Sequence, residues 1–238
     1  LLDLTGGQEL VFCLTLAVIL WMLNRITGGL DPFLRRRLAF TAFVIFAFRM
    51  APGVGEGYTW FAIDVLKFDE LFQGKLAQIG ATIGLVSLWM LANDVTRQDA
   101  VRVMLWITII GTVLALPTLM LVFEGHKVTE RLFGIGAQGI ALFDAAAQSP
   151  LAQLSMIPLL TLVAINAPAS YRATWFALMA SLMNLALVAG QLLTKYLTLA
   201  WPVTRGDYTN LPTLVVVATV LGFVIPVAAI FSLGKRLK

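Results

Sequence analysis

The ionisable side chains Arg49, Glu56 and Asp64 occur within the largely apolar stretch from Phe46 to Phe68. The same stretch contains Pro52 and three neighbouring glycines, so its backbone is poorly suited to a continuous helix. A guanidinium can hold a carboxylate ligand with two parallel hydrogen bonds, whereas a carboxylate can accept a proton or pair with a cation. These residue types therefore point to ligand binding and proton exchange.

Arg49 and Glu56 are the first candidate site residues. Arg49 lies eleven residues beyond Leu38, the start of an apolar segment. That distance is about 16 Å along a helix, close to the middle of a bilayer. Glu56 follows seven residues later on nearly the same helical face. Because a charge at that depth is unfavourable against lipid, we predict that both residues face a cavity and bind substrate. The alternatives are an ion pair between them, or a bond from Arg49 to backbone carbonyls freed at Pro52.

The segment that follows Arg49 predicts a helix interruption between Pro52 and Gly57, because Pro removes a backbone donor and glycine weakens helix continuation. Irregular backbone is tolerated at membrane depth where it lines a cavity, although glycines also suit close helix packing. Tyr58 is an aromatic substrate-binding candidate beside this interruption, with packing at the membrane interface as its alternative role. For Asp64 we expect simple hydration.

Asp144, Gln148 and Ser155 form a second polar set. Their offsets of 0, 4 and 11 place them within about 40° of one helical stripe. Low dielectric favours the protonated form of a carboxylate, so Asp144 is a proton-coupling candidate, with Glu56 as the second. Gln148 is a substrate-binding candidate on the same stripe. The alternative for Asp144 is a helix cap that follows the glycine-rich run FGIGAQG.

Asn184, Gln191 and Lys195 share a third stripe, at offsets of 0, 7 and 11. We predict that Asn184 and Gln191 bind substrate, because polar groups within membrane helices often mark a substrate pathway. An interhelical hydrogen bond is the alternative for Asn184. Lys195 is expected to extend its ammonium group towards the membrane surface.

The elements that position these residues must lie in a membrane. Hydrophobic residues make up 59% of the chain and charged residues 13%, with a mean hydropathy of +0.88, so the chain lacks the polar surface of a water-soluble globule. Cys13 is the single cysteine, which excludes an internal disulfide and a metal site with several cysteines. His126 is the single histidine, which argues against a histidine metal centre. We therefore predict no metal and no cofactor. The lack of a nucleophile constellation argues against an enzyme, and the scattered basic residues argue against nucleic acid as a partner.

Seven apolar runs are long enough to cross the roughly 30 Å hydrocarbon core as helices. They are continuous and do not alternate with period two, so the predicted fold is an all-α integral membrane protein. The predicted spans are residues 8–24, 38–65, 75–93, 102–123, 138–165, 173–199 and 211–233.

The distribution of Lys and Arg predicts the orientation of these spans. If the first span runs inward, ten basic residues fall in cytoplasmic connections and five in outer ones, which predicts a cytoplasmic C-terminus. The ten are Arg25, Arg35, Arg36, Arg37, Arg97, Arg102, Arg172, Lys235, Arg236 and Lys238, and the five are Lys67, Lys75, Lys127, Arg131 and Arg205.

The basic segment RITGGLDPFLRRR separates the first span from the next six. A last helix, a basic linker and six further helices form the order expected in the back part of a transporter with two six-helix halves. We therefore assign residues 1–37 to the last helix of an N-terminal half plus its cytoplasmic linker. Residues 38–238 are assigned to a six-helix C-terminal half.

Two regions carry motifs of one transporter family. The run from Ile157 to Leu193 has a Pro inside one helix, a Pro before a Thr-x-Phe-Ala-Leu run, and Ser-x-x-Asn in the next helix. The other region is the Pro-centred break with the loop from Phe68 to Gly74 that follows it. The first set corresponds to Pro158, Pro168, Thr174–Leu178, Ser181 and Asn184. These features resemble the folate-biopterin transporter family, a branch of the major facilitator superfamily, in its seventh, tenth and eleventh helices.

This resemblance implies a multi-pass carrier that works by alternating access on a folate- or pterin-like molecule or another small organic anion. Proton symport through Asp144 or Glu56 is an additional hypothesis. The expected partners are the lipid bilayer, the substrate, and a missing N-terminal half or other membrane subunits. The cell inner membrane or an organellar membrane is the expected location. The alternative function is a transporter-fold accessory or assembly subunit of a larger membrane complex, without transport activity.

Overall fold

The structure, a computed structural model, describes residues 6–233, and most of them are helical. Within this range the only extended pairing is one isolated bridge between Thr204 and Asp207. The helices are α1 (Gly7–Thr27), α2 (Pro32–Arg49), α3 (Glu56–Asp64), α4 (Glu70–Thr96), α5 (Ala100–Val113), α6 (Leu116–Val122), α7 (His126–Phe133), α8 (Ala137–Leu154), α9 (Met156–Ile165), α10 (Arg172–Ala200) and α11 (Leu211–Leu233), with a 3-10 turn at Ala169–Tyr171. The prediction of an all-α protein is confirmed.

Six helical segments in the described range are long and apolar enough to cross a membrane. Together with the interrupted pair α2–α3, they account for the seven predicted spans. The chain is therefore a multi-pass integral membrane protein. The six segments are Gly7–Thr27, Glu70–Thr96, Ala100–Val122, Ala137–Ile165, Ala169–Ala200 and Leu211–Ser232.

The predicted helix interruption is confirmed. Helix α2 ends at Arg49, and α3 begins at Glu56. Gly55, which precedes α3, has a φ of 67°. Residues that carry a Cβ rarely adopt this backbone conformation. Because the two helices are separate, the expectation that Arg49 and Glu56 share one helical face is wrong.

Two other predicted spans are also divided. The span 102–123 consists of α5 and α6, with Pro117 in the first turn of α6, and the span 138–165 consists of α8 and α9, which meet at Ser155. Pro158 lies within α9, and a proline has no N–H to donate to the carbonyl four residues earlier. His126, placed in a loop by the sequence, begins the short helix α7.

Helices α4 and α8 pack closely through two small residues of α4. A Cβ added at Gly80 would lie 2.6 Å from Ser149 Oγ, and one added at Gly84 would lie 2.9 Å from Gln153 Cγ. Small residues four apart let two membrane helices approach closely where no hydrophobic effect drives their association. This contact holds α8, and with it the polar set around Asp144, against α4.

The core of the helical assembly contains Trp175 of α10, which is fully buried. Its Nε1–H donates a 2.9 Å hydrogen bond to the Val163 carbonyl of α9, so α10 is fixed against the end of the preceding helix. A second apolar cluster around Phe61 and Leu211 joins α3 to α11.

In the described part of the chain, two ion pairs join distant segments. Asp64 at the end of α3 accepts from Arg205, at 3.1 and 3.2 Å, and from the Tyr208 hydroxyl, so the expectation of simple hydration for Asp64 is wrong. This bond keeps the pKa of the exposed Arg205 above its ordinary value. Lys195 Nζ donates to Glu9 Oε1 of α1 at 2.6 Å, and its extension towards the membrane surface stays a prediction.

These contacts place the end of α3 beside the connection that contains Arg205, in agreement with the predicted alternation of loops. Which side is cytoplasmic stays a prediction, and Lys235, Arg236 and Lys238 of the basic count lie outside the described residues. In a Cys13→Ser background, single cysteines at the exposed residues Gln98 and Lys127 should react with an impermeant maleimide from opposite sides. Only the Lys127 position should be labelled in intact cells. If the cysteine at Gln98 were labelled in intact cells and the one at Lys127 were not, the predicted orientation would be wrong.

Candidate functional site

A cavity of about 400 Å³ lies beside the interruption between α2 and α3. Its wall is formed by the interrupted segment together with α5, α6, α8 and α11. The polar lining residues are Thr108, Thr112, Thr118, Gln148 and Thr219, and the interrupted segment contributes Ala51, Pro52 and Val54. Irregular backbone thus occurs where it lines a cavity, the condition under which a membrane tolerates it. We call this space the break cavity.

Helix α10 holds the interrupted backbone in place. The Thr194 hydroxyl accepts a 2.8 Å hydrogen bond from the Gly53 N–H and donates one of 2.9 Å to the Gly190 carbonyl. Gly190 itself allows the close approach, since a Cβ added there would lie 2.9 Å from the Ala51 carbonyl oxygen. Thr194 therefore satisfies a backbone donor that a continuous helix would have paired internally.

Asp144 joins the polar wall of the break cavity. Its carboxylate accepts a 3.0 Å hydrogen bond from Thr118 Oγ1 and a 2.6 Å hydrogen bond from Gln148 Nε2. The alternative role as a helix cap is wrong. The residue before α8 is Gly136, and Asp144 is the eighth residue of the helix. Among residues 6–233, no Lys or Arg forms an ion pair with Asp144. Ser155 does not join this set and bonds the Ala152 carbonyl.

Tyr58 is partly buried on α3, with its ring centroid 6.4 Å from that of Phe61, and it packs against the apolar cluster around Phe61 and Leu211. The structure therefore brings together two of the predicted site residues, Asp144 and Gln148, which are hydrogen-bonded to each other on α8.

Arg49 occupies the last position of α2, immediately before the interrupted segment. Its Nη1 donates to the Met156 thioether at 2.9 Å, and its Nε is buried without a hydrogen-bond partner. Glu56 is exposed at the first position of α3, and no Arg49–Glu56 ion pair forms between these two described residues. The guanidinium thus keeps donors that no group among residues 6–233 satisfies.

Asn184 and Gln191 lie elsewhere. Both are exposed on α10 and line a groove of about 560 Å³ between α1 and α10, together with Gln8, Thr15 and Ser181. The structure therefore separates these two amides from Gln148, which lines the break cavity. Within the described range, no group of three or more His, Cys, Asp or Glu side chains could hold a metal ion.

Sequence reasoning missed the threonines of the break cavity. Thr108, Thr112 and Thr219 each donate to the carbonyl four residues earlier, which is the ordinary behaviour of threonine in apolar helices. The spacing of Thr108 and Thr112 does place them on one face, a signal that could have been used. Thr194 has no such signal, because its role depends on a backbone break 141 residues away.

Comparison with known proteins identifies the family. A model of the BT1 family matches residues 10–237, almost the whole chain. The chain belongs to the BT1 family. The resemblance to folate-biopterin transporters is confirmed by this match and by two relatives. No solved structure matches the chain.

Two relatives of the chain are named as transporters. The first, "Folate-biopterin transporter" from Synechocystis sp. (strain ATCC 27184 / PCC 6803 / Kazusa), is 29% identical over 177 residues, which cover 73% of this chain and 34% of the relative. The second, "Folate transporter 1" from Plasmodium falciparum (isolate 3D7), is 26% identical over 196 residues, covering 82% of this chain and 38% of the relative. The chain thus spans just over a third of the length of these relatives.

Proposed function

We propose that this chain forms the C-terminal half of an alternating-access carrier of the major facilitator type, with a folate- or pterin-like molecule as substrate. The observation that supports this most directly is the break cavity, where an interrupted helix meets polar groups of four other helices. Discontinuous helices at a substrate site are a recurring feature of secondary transporters. Membership of the BT1 family and the names of the two relatives support the same proposal.

The break cavity has the groups that a planar, polar ring requires. Gln148 offers an amide with both donor and acceptor atoms, and Thr118 offers a hydroxyl. Tyr58 would contribute an aromatic face from α3. A pterin ring carries amide and amine edges that match these groups. An anionic tail would bind the unsatisfied guanidinium donors of Arg49, and Glu56, exposed at the start of α3, would be a peripheral substrate contact.

Asn184 and Gln191 extend the proposed substrate contacts to a second location. Their exposed amides lie on a membrane-crossing helix, where unneutralised polar groups are unfavourable against lipid. The same helix contacts the interrupted backbone through Gly190 and Thr194. A substrate that moved along α10 would thus pass from one polar set to the other as the halves of the carrier rearrange.

Proton coupling is proposed for Asp144. Its carboxylate is half-buried in the cavity wall and lacks a cationic partner among the described residues. A carboxylate in such a position changes its hydrogen bonds when it takes up a proton, since it then donates one bond where it had accepted. Protonation would release either Thr118 or Gln148, and Gln148 is a proposed substrate contact. This would link the proton to the substrate.

We predict that Asp144→Asn abolishes uptake driven by a pH gradient while it preserves exchange of external for internal substrate. Asparagine keeps the size of the side chain and, like the protonated carboxyl, offers both an acceptor and a donor, but it cannot carry a proton across. The measurement is uptake of labelled folate by vesicles that contain the intact protein, with and without an imposed gradient. We expect gradient-driven uptake to fall at least tenfold and exchange to change by less than threefold.

Glu56→Gln is the matched control, because it removes the other carboxylate proposed for coupling. It should retain most of the gradient-driven uptake if Asp144 carries the proton. The opposite result, with Asp144→Asn active and Glu56→Gln uncoupled, would transfer the role to Glu56. Folded wild-type protein that takes up no folate or pterin at all would favour the accessory-subunit function.

A further inference from the structure

A second cavity, of about 480 Å³, lies in the seam between α1, α2 and α10, away from the break cavity. This seam groove is apolar over most of its lining. Its polar lining residues are Asn24, Thr27 and Arg35. They lie on the last part of α1 and the first turn of α2, so all three are at one end of the groove. The groove therefore has the polarity of an amphiphile, with a polar head region and an apolar body.

The length of the groove fits one leaflet of a bilayer. Along α2 its lining extends from Arg35 to Phe46, and along α1 from Thr27 to Leu16, eleven residues in each case. At 1.5 Å per residue this is about 16 Å, roughly half of a 30 Å hydrocarbon core. The two small residues Ala39 and Ala42 on α2 leave room for a chain between the helices.

The polar end carries a positive charge that the described residues do not neutralise. Arg35 donates one Nη2 hydrogen bond to Asn24 Oδ1, and no described carboxylate forms an ion pair with it. The nearest acid in the sequence, Asp31, accepts from the backbone N–H groups of Phe33 and Leu34 as the cap of α2. A guanidinium has five donors, so most of those on Arg35 are available to a ligand.

We propose that the seam groove binds an anionic phospholipid, with one acyl chain between α1 and α2 and its phosphate on Arg35 and Asn24. Basic sites between membrane helices at the level of the headgroups bind anionic lipids through this combination of charge and apolar depth. An acyl chain would also supply the dispersion contacts that the groove wall lacks when it is empty. The lipid would join α1 to α2 and α10 at the linker.

The chain offers a matched pair of variants for the test. Arg35 lines the groove, whereas the adjacent Arg36 directs its guanidinium over the Phe40 ring at 5.4 Å and is not part of the lining. Arg35→Gln and Arg36→Gln therefore remove the same charge from neighbouring positions. The intact protein, purified in detergent, is titrated with phosphatidylglycerol or phosphatidylcholine while its melting temperature and its bound lipid, by native mass spectrometry, are measured.

We expect phosphatidylglycerol to stabilise the wild type and Arg36→Gln more than phosphatidylcholine does. In Arg35→Gln the apparent affinity for phosphatidylglycerol should fall at least tenfold, with one fewer retained lipid. Equal losses in both variants would mean diffuse attraction to a basic surface and would overturn the proposal. So would a wild type without preference between the two lipids.

Ala39→Trp tests the acyl chain separately, because it fills the groove and leaves every charge in place. It should remove the retained lipid as Arg35→Gln does. If Ala39→Trp keeps the full effect of phosphatidylglycerol, the groove is occupied by something else, such as another helix of the intact protein. None of these measurements depends on transport, so their outcome is independent of the proposed function.

Discussion

Replacing Gly190 by alanine should destabilise the protein and reduce its transport. A Cβ at this position would lie 2.9 Å from the Ala51 carbonyl oxygen and 3.3 Å from that of Met50, both in the interrupted backbone. A backbone carbonyl cannot rotate away as a flexible side chain can, so α10 and the segment before α3 must separate. Overpacking of this kind costs about 1–3 kcal/mol. The Gly53–Thr194 hydrogen bond would be strained by the same movement.

Gly222→Ala is the control for this prediction. Gly222 faces the same residue from α11, but its added Cβ would lie 3.9 Å from the Ala51 Cβ, an ordinary contact distance. Alanine is favoured over glycine inside a helix by about 1 kcal/mol, so this variant should be neutral or more stable. Thermal melting in detergent compares the stability of the two variants, and uptake in vesicles measures the effect of Gly190→Ala on transport. Because Gly222 lines the break cavity, its variant is a control for stability alone. If the two variants melt alike, the close approach at Gly190 does not hold the break.

The sequence predicted the interruption between α2 and α3, but it did not predict the contacts with α10 that hold the interrupted backbone. Pro52 and the neighbouring glycines are local signals, and each acts on the backbone of its own segment. Gly190 and Thr194 look like ordinary residues of an apolar helix. Their role arises only when α10 packs against α2, a contact between segments about 140 residues apart in the chain.

The polar stripes show the same limit. Helical periodicity correctly grouped Asp144 with Gln148, because both lie on one continuous helix. It could not show that Asn184 and Gln191 face a different groove, since which helix covers a stripe depends on tertiary packing. The expectation that Arg49 and Glu56 share one helical face was wrong for a related reason. The same Pro-Gly segment that predicted the break also ends the helix on which their shared face was calculated.

Arg49→Lys should keep the protein folded and sharply reduce uptake of a carboxylated substrate. The lysine retains a positive charge at the end of α2, where the helix dipole favours a cation. It loses the planar fork that can bind a carboxylate with two parallel hydrogen bonds. Hydrogen bonds to charged groups contribute about 1.5–3 kcal/mol, so uptake of folate at low concentration should fall by about tenfold to a hundredfold. An uncharged pterin should be affected much less.

The comparison between the two substrates separates binding from folding, because a general defect would lower both uptakes equally. The double variant Arg49→Gln, Glu56→Gln tests the remaining structural alternative. If the two side chains neutralised each other in the transporting protein, removing both charges should restore folding and uptake, since no buried charge is left unpaired. The exposed position of Glu56 and the contact of Arg49 with Met156 predict no such restoration. Recovery of folate uptake in the double variant would assign Arg49 to the scaffold and leave the anionic tail without its proposed partner.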